Sequence, residues 1–271
     1  MTQSTKDTAA SETVHERVQS QFGAAAAAYG ASLVHADASA LQRVVELAEP
    51  HPKDSALDIA TGAGHTALAL APHVARVIAY DLTREMILET RRNASARGLA
   101  NVYTQQGPAE KLPFRDASFD IVTVRQAPHH FADARGAVQE MARVARPGAR
   151  VVIVDSAAPQ DADLAAHWDL MERLRDPSHV RNYSPSEWRA MVEEAGLRVF
   201  AEETGFATEN GGPMSFDAWT RRINTPPHAV VELGQLFRNA SPALVRALQI
   251  EIVDDTISFC VPVVTIAARK E

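Results

Sequence analysis

The chain has 271 residues, 46% of them hydrophobic, and a formal net charge of −7 at pH 7, which suits one large domain or a core with a smaller cap. The acidic balance argues against a nucleic-acid partner, since phosphate backbones select basic surfaces, and no run approaches the roughly eighteen apolar residues of a membrane span. A single cysteine, Cys260, permits no internal disulfide and fits a reducing, cytoplasmic setting.

Residues 1–12 are polar, carry acids, lack the apolar stretch of a leader, and read as a disordered tail. Residues 13–40 read as a helical N-terminal segment. Val14 to Tyr29 can be helical, Ala24 to Ala28 favour it, and Phe22 and Tyr29 fall at the helical spacing of core aromatics. Leu41, Val44, Val45 and Leu47-Ala48 mark an amphipathic helix, ended by Pro50 and Pro52, and open a core expected over 41–157.

Ala56, Leu57, Ile59 and Ala60 are too short an apolar run for a helix, and Thr61-Gly62-Ala63-Gly64 stops them in small residues. Thr66 to Leu70 are mostly good helix formers, so the segment reads as strand, glycine turn, helix. Such a turn lets the backbone approach a ligand and aims free helical N–H groups at whatever lies above the strand end. The next strand, Arg76 to Tyr80, leads to Asp81, about twenty residues beyond Gly62, where a nucleotide-binding fold places a carboxylate for ribose hydroxyls. Gly62 to Ala67 also fits the dinucleotide pattern GxGxxA, which leaves NAD open. Asp58 favours S-adenosylmethionine: an acid inside an apolar strand is costly without a partner, and that cofactor, unlike NAD, carries an ammonium group at this end.

Thr83 to Arg97 reads as a helix capped by Thr83 and ended by Gly98. Val102 to Gln106, Phe119 to Val124 and Val151 to Val154 read as strands, the last two joined by a helix over Ala134 to Ala145. Strands alternating with helices make a parallel, doubly wound sheet with ligands at the strands' carboxyl ends. Arg125, Gln126, Ala127, Pro128, His129 and His130, just past the fourth strand, therefore face the reacting group. His129 is the first candidate for a base or a substrate-orienting group, against a structural role in the loop. No metal site is expected, because adjacent histidines rarely aim at one ion and Cys260 is distant.

The ordered segments LDIATGAGHTA, IAYDLTREMI, GPAEKLPFRDASFDIV, APHHF and ARVARPGARVVIVD, spanning roughly Phe22 to Phe200, resemble class I S-adenosylmethionine-dependent methyltransferases, in the branch similar to ubiquinone/menaquinone-biosynthesis enzymes. That resemblance implies a mostly parallel, seven-stranded Rossmann-like sheet with the last strand antiparallel, an N-terminal helical lid, and helical cap insertions. It implies S-adenosylmethionine held by Tyr29, Asp58, Ala60, Thr61, Gly62, Gly64, Asp81, Leu82, Met86, Gly107, Ala109, Glu110 and Arg125. Tyr29 would reach the methionine carboxylate, Met86 the adenine face, and Ala109-Glu110 the adenine edge. Two positions depart from the family: Ala60 replaces the first glycine, and Pro108 replaces the acid after Gly107. The sequence RQAPHH after the fourth strand also lacks the [DN]PP[YF] motif of methyltransferases acting on nitrogen, and Asn224 to Pro227 reads instead as a helix start with Thr225 as cap.

Residues 158–186 read as a lid, with a helix over Asp163 to Leu174 and a loop carrying Arg175, His179 and Arg181, of which His179 and Arg181 are expected to face the acceptor, His179 as a second catalytic candidate. Ser184-Pro185-Ser186-Glu187 is a capping box that opens a helix within a continued core, 187–206. Leu197 to Glu203 reads as a sixth strand and Ile257 to Ala267, in a 256–271 segment, as a last strand that Pro262 would place at an edge or bulge. Between them, 207–255 is too long for a hairpin loop and reads as an acceptor cap or a homodimer contact. Methyl transfer to a phenol, quinol or polyketide-like small molecule, at O or C, is the leading reading. The alternatives are an NAD-dependent oxidoreductase, opposed by Asp58 and by the lack of a tyrosine-lysine catalytic spacing, and a protein that binds the cofactor without methylating.

Overall fold

A computed structural model describes residues 14–23, 38–207 and 212–271. The main sheet is built from β1 (Ser55–Ile59), β2 (Arg76–Asp81), β3 (Val102–Gln106), β4 (Phe119–Arg125), β5 (Ala145–Ser156) and β6 (Leu197–Ala207). A smaller sheet holds β7 (Met214–Ser215), β8 (Glu251–Val253) and β9 (Thr256–Phe259), and β10 (Val261–Lys270) returns to the main sheet. The main order is β3-β2-β1-β4-β5-β10-β6, with β10 antiparallel to both of its neighbours. β1 and β4 are parallel neighbours at which the strand order reverses, the switch point where open α/β sheets bind their ligands.

Alternation along the strands separates two cores. Leu57, Val122, Val124, Val151 and Ile153 face one side with Met141 and Trp188. Ala56, Ile121, Val152 and Val154 face the other, with Val44, Val45 and Leu70. The helices are α1 (residues 14–23), α2 (Ala38–Ala48), α3 (His65–Leu70), α4 (Arg84–Ala96), α5 (Ala134–Val144), α6 (Ala162–Arg175), α7 (Pro185–Glu194), α8 (Phe216–Arg221), α9 (Pro227–Arg238) and α10 (Pro242–Leu248). α7 starts on the expected capping box: the Ser184 hydroxyl accepts from Glu187 N–H, and the Glu187 carboxylate accepts from Ser184 N–H.

The expected last strand is in fact two. Residues 256–259 pair with β7 and β8 in the small sheet, and only from Val261 does the chain join the main sheet. Pro262 is not at an edge, for β10 lies between β5 and β6. Its carbonyl accepts from Ala157 N–H at 2.8 Å, and because a strand residue aims N and O to one side, the missing N–H faces Ala157 just past the last β5 pair, Val263↔Ser156, where the ladder ends. Thr83 stands at the N-cap of α4, but its side chain makes no capping bond; the Asp81 carboxylate accepts from Thr83 N–H instead. α9 begins at Pro227 with Pro226 as N-cap, and the Thr225 hydroxyl donates to the carbonyl of Arg175. Around the small sheet, Trp219, Phe237, Phe259 and Leu248 pack with Trp168 and Met171 of α6 into a third core, which gives the cap its own interior.

Candidate active site

After β1 the chain turns through Ala60 (φ +49), Thr61, Gly62 (φ +56), Ala63 and Gly64 (φ +91) into α3. The left-handed backbone at residue 60 is one that glycine adopts freely and alanine at roughly 1–2 kcal/mol, so the substitution leaves the path of the turn intact. α4 grips the turn from behind: the Thr90 hydroxyl donates to Gly62 O at 2.7 Å and Asn93 Nδ2 to Ala63 O at 3.0 Å. A Cβ on Gly64 would stand 2.8 Å from Thr90 Cγ2, and one on Gly107 would stand 2.0 Å from Tyr80 Oη.

Two buried acids organise the turn. Asp58 Oδ2 accepts from Thr61 Oγ1 at 2.6 Å and Ala67 N–H at 3.1 Å, and its Oδ1 accepts from Thr123 Oγ1 at 2.7 Å. The sequence suggested a carboxylate in want of a cation; the structure satisfies both oxygens from β4, the turn and α3, which is how the strand tolerates the acid. Burial, opposed by those bonds, raises its pKa. Asp81 Oδ2 accepts from Gly62 N–H and its Oδ1 from Thr83 N–H, both at 2.8 Å. Burial, outweighing the two backbone bonds, pushes its pKa up to about 6.

Above this turn a cavity is lined by Asp58, Ala60, Thr61, Gly62, Asp81, Leu82, Met86, Gly107, Ala109, Glu110 and Arg125. Gly64 does not line it and acts by shaping the turn; Tyr29 lies outside the described residues. α1 lies along the cavity. His15 Nε2 meets Glu110 Oε2 at 3.2 Å, Gln19 Nε2 donates to Leu82 O, and Phe22 packs edge-on against His130 at 4.9 Å between ring centres. Glu110 also accepts from Ala132 N–H at 3.0 Å, so its carboxylate ties α1 to the cavity wall.

Phe22, Arg125, Gln126 and His130 are shared with a second cavity of about 370 Å³, a size suited to a small organic ligand. Its walls include Val154 and Ser156 from β5, Val263 from β10, Glu172, Arg175 and Asp176 from α6 and its end, and Met214, Trp219 and Arg222 from the cap. His129 stands on this wall with Nδ1 2.6 Å from Asp155 Oδ1. Burial alone would lower the His129 pKa, but the charge and hydrogen bond of Asp155, with Glu172 and Asp176 behind, raise it above the ordinary histidine value.

The neighbouring histidines differ. His130 Nδ1 meets Ser178 O at 3.1 Å, and burial together with the nearby His129 lowers its pKa to about 3, so the ring is neutral. His179, expected at the acceptor, is 3% exposed, lines neither cavity, and bonds Asp169 Oδ1 through Nε2 at 3.1 Å. Arg181 also lines neither cavity and pairs with Glu187 over the ring of Tyr183. Asp155 was missed, although the run Val151-Val152-Ile153-Val154-Asp155 ends in an acid as the strand before Asp81 does. That signature was the available signal. Among the described residues no cluster of three or more His, Cys, Asp or Glu side chains could hold a metal.

The lining suits an adenosyl cofactor: missing Cβ atoms where the backbone runs close, and a buried carboxylate at the end of the second strand. Residues 57–153 match the family described as a methyltransferase domain. The chain belongs to the class I S-adenosylmethionine-dependent methyltransferases. Within that class it is similar to YcgJ of Bacillus subtilis, an uncharacterised methyltransferase, at 37% identity over 254 residues, covering 93% of this chain and 98% of the relative. The YcgJ crystal structure superposes with a TM-score of 0.79 at 38% identity, over 85% of this chain and 97% of that one. The BH2331 protein of Bacillus halodurans superposes with a TM-score of 0.81 at 32% identity, over 86% of this chain and 99% of that one. A shorter match, 38% over 120 residues, covers 44% of this chain and 54% of the demethylmenaquinone methyltransferase of Thermus thermophilus. The protein thus methylates a small-molecule acceptor with S-adenosylmethionine, and an NAD-dependent reading of the glycine turn is set aside. No helix among the described residues is long and apolar enough to cross a membrane.

Proposed function

We propose that the acceptor is an acidic O–H or C–H compound of phenol, quinol or polyketide type, bound in the second cavity, and that His129 removes its proton. The observation that carries this reading is His129 on the cavity wall, 2.6 Å from the buried carboxylate of Asp155 and beside the residues that both cavities share. When bound, S-adenosylmethionine supplies an electrophilic methyl group on a sulfonium, displaced in line by a nucleophile. Asp81 would accept hydrogen bonds from the ribose hydroxyls, Glu110, Ala109, Leu82, Met86 and Gly107 would enclose the adenine, Ala60, Thr61 and Gly62 line the backbone path, Gly64 shapes it, and Asp58 and Arg125, with Tyr29, would attend the amino-acid end. Phe22 and α1 cover the junction and keep water from it.

Met214, Trp219 and Arg222 on the cavity wall support an acceptor-cap role for the 207–255 insertion. The name of the Thermus relative supports a quinol-like ring, and the net charge of −7 supports a small molecule over a nucleic acid. A screen of phenols, quinols and polyketides with methyl-labelled cofactor, followed by NMR of the product, tests the reading. Label on oxygen or carbon is expected; label only on amines would overturn it.

A further inference from the structure

Neutral histidine is a base only at the ring nitrogen that lacks the proton. Around His129 the neighbours decide which nitrogen that is. Nδ1 lies 2.6 Å from Asp155 Oδ1 and 3.2 Å from Ser156 Oγ. Asp155, at the end of β5, has 0% exposure, and its Oδ2 is buried with no hydrogen-bond partner among the described residues, so its carboxylate is directed at His129 alone. The Ser156 hydroxyl lies 2.5 Å from Asn182 Oδ1 and donates its one proton there, which leaves oxygen lone pairs toward Nδ1. Asn182 is 1% exposed and its backbone N–H is held by Asp169 Oδ1 at 2.8 Å, so this second acceptor is fixed in turn by α6. Both neighbours of Nδ1 therefore accept, and Nδ1 must carry the proton. His129 lines the second cavity, and with Nδ1 protonated its Nε2 is the ring nitrogen left to act as a base.

We propose that Asp155, supported by Ser156 and Asn182, is a positioning group that holds His129 in its Nδ1-protonated tautomer and so makes Nε2 the atom that takes the acceptor's proton. This rests on the base role given to His129 above. The acceptor's O–H or C–H bond breaks, the proton goes to Nε2, and the released electron pair forms the new bond to the methyl carbon as the methyl–sulfur bond breaks, its electrons staying on the sulfur of the departing neutral thioether. His129 becomes an imidazolium whose Nδ1–H keeps its bond to Asp155, and the proton later leaves to solvent. The acids acting most strongly on the ring are Asp155 from β5, Glu172 from α6 and Asp176 at its end, while Arg43, Arg125, Arg175, Arg222 and Glu203 line the same cavity; His130 lies beside the ring and His179 across from it, at 4.2 and 5.6 Å between ring centres.

The test reads the tautomer without any acceptor. In ¹⁵N-histidine-labelled protein, above the pH at which His129 is cationic, the resonance that His129→Gln removes is expected to show a protonated Nδ1 and an unprotonated Nε2. Asp155→Ala should shift that ring toward the Nε2-protonated form that free histidine prefers, lower turnover roughly 10²-fold to 10⁴-fold, and move the acid limb of the pH–rate profile to lower pH. Asp155→Asn, which keeps the shape, should leave the fold and cofactor binding intact and still move the acid limb down. Ser156→Ala should cost less than about tenfold, as the loss of the weaker acceptor. A wild-type ring protonated at Nε2, or an unchanged tautomer and acid limb in both Asp155 variants, overturns the proposal. The expected tautomer in a protein that methylates no acidic acceptor would sink the functional reading and leave the positioning network standing.

Discussion

Asparagine at position 81 removes a charge while keeping shape, and its effect should depend on pH in a specific way. Asp81 is buried, bonded to Gly62 N–H and Thr83 N–H, and its pKa is pushed from 3.8 up to about 6. From about pH 4 to about pH 6 the folded protein therefore binds more protons than the unfolded chain, and stability falls as pH rises across that window. Cofactor affinity moves the other way, since ribose hydroxyls donate best to an ionised carboxylate. Wild-type affinity at pH 5 should be roughly tenfold below that at pH 7. A charge-assisted hydrogen bond contributes roughly 1.5–3 kcal/mol and a neutral one about 1. Asp81→Asn should thus weaken binding at pH 7 roughly tenfold and flatten the dependence between pH 5 and 7. Calorimetric titration with S-adenosylmethionine at pH 5, 6 and 7, on samples whose circular dichroism shows them folded, reads both effects. Wild-type affinity in Asp81→Asn, or a wild type with equal affinity at pH 5 and 7, would refute the ribose role.

Ala60→Gly should relieve roughly 1–2 kcal/mol of left-handed strain against a loss of roughly 0.5–1 kcal/mol in chain entropy, so calorimetry should find Tm raised by about 1–4 °C. Gly64→Ala meets both a φ of +91 and Thr90 at 2.8 Å; urea unfolding should show a loss of at least about 2 kcal/mol, together with weaker cofactor binding. His179→Asn breaks the buried bond to Asp169 and should lower stability by roughly 1–3 kcal/mol while leaving the acid limb of the pH–rate profile where His129 sets it.

What was legible in the sequence was local or evenly spaced. The capping box at Ser184 to Glu187 lies within one helical turn, and the interval from Gly62 to Asp81 is set by one βαβ unit, so both survived folding as read. Asp58 was legible as an anomaly, but its partner Thr123 lies on another strand 65 residues away, and only the sheet order brings the two together. The same holds for Asp155 and His129, which meet because β4 and β5 are neighbours. His179 misled because a histidine in a loop of charged and polar residues reads as facing the pocket, whereas this loop folds inward: Asp176 Oδ1 accepts from both Ser178 N–H and Ser178 Oγ, and Asp169 meets His179. The small sheet escaped notice for a different reason. Strands of two to four residues, such as β7, β8 and β9, are too short to carry a periodic signal.

The base role of His129 is tested most directly by wild type and His129→Ala on acceptors of graded acidity, with turnover and cofactor affinity measured side by side. The expected result is a loss of roughly 10²-fold to 10⁴-fold in turnover for weakly acidic acceptors, shrinking for acceptors that ionise unaided, with S-adenosylmethionine affinity nearly unchanged. Equal losses across the acidity series, or a parallel fall in cofactor affinity and stability, would show that His129 only braces the loop after β4 and would contradict the central claim.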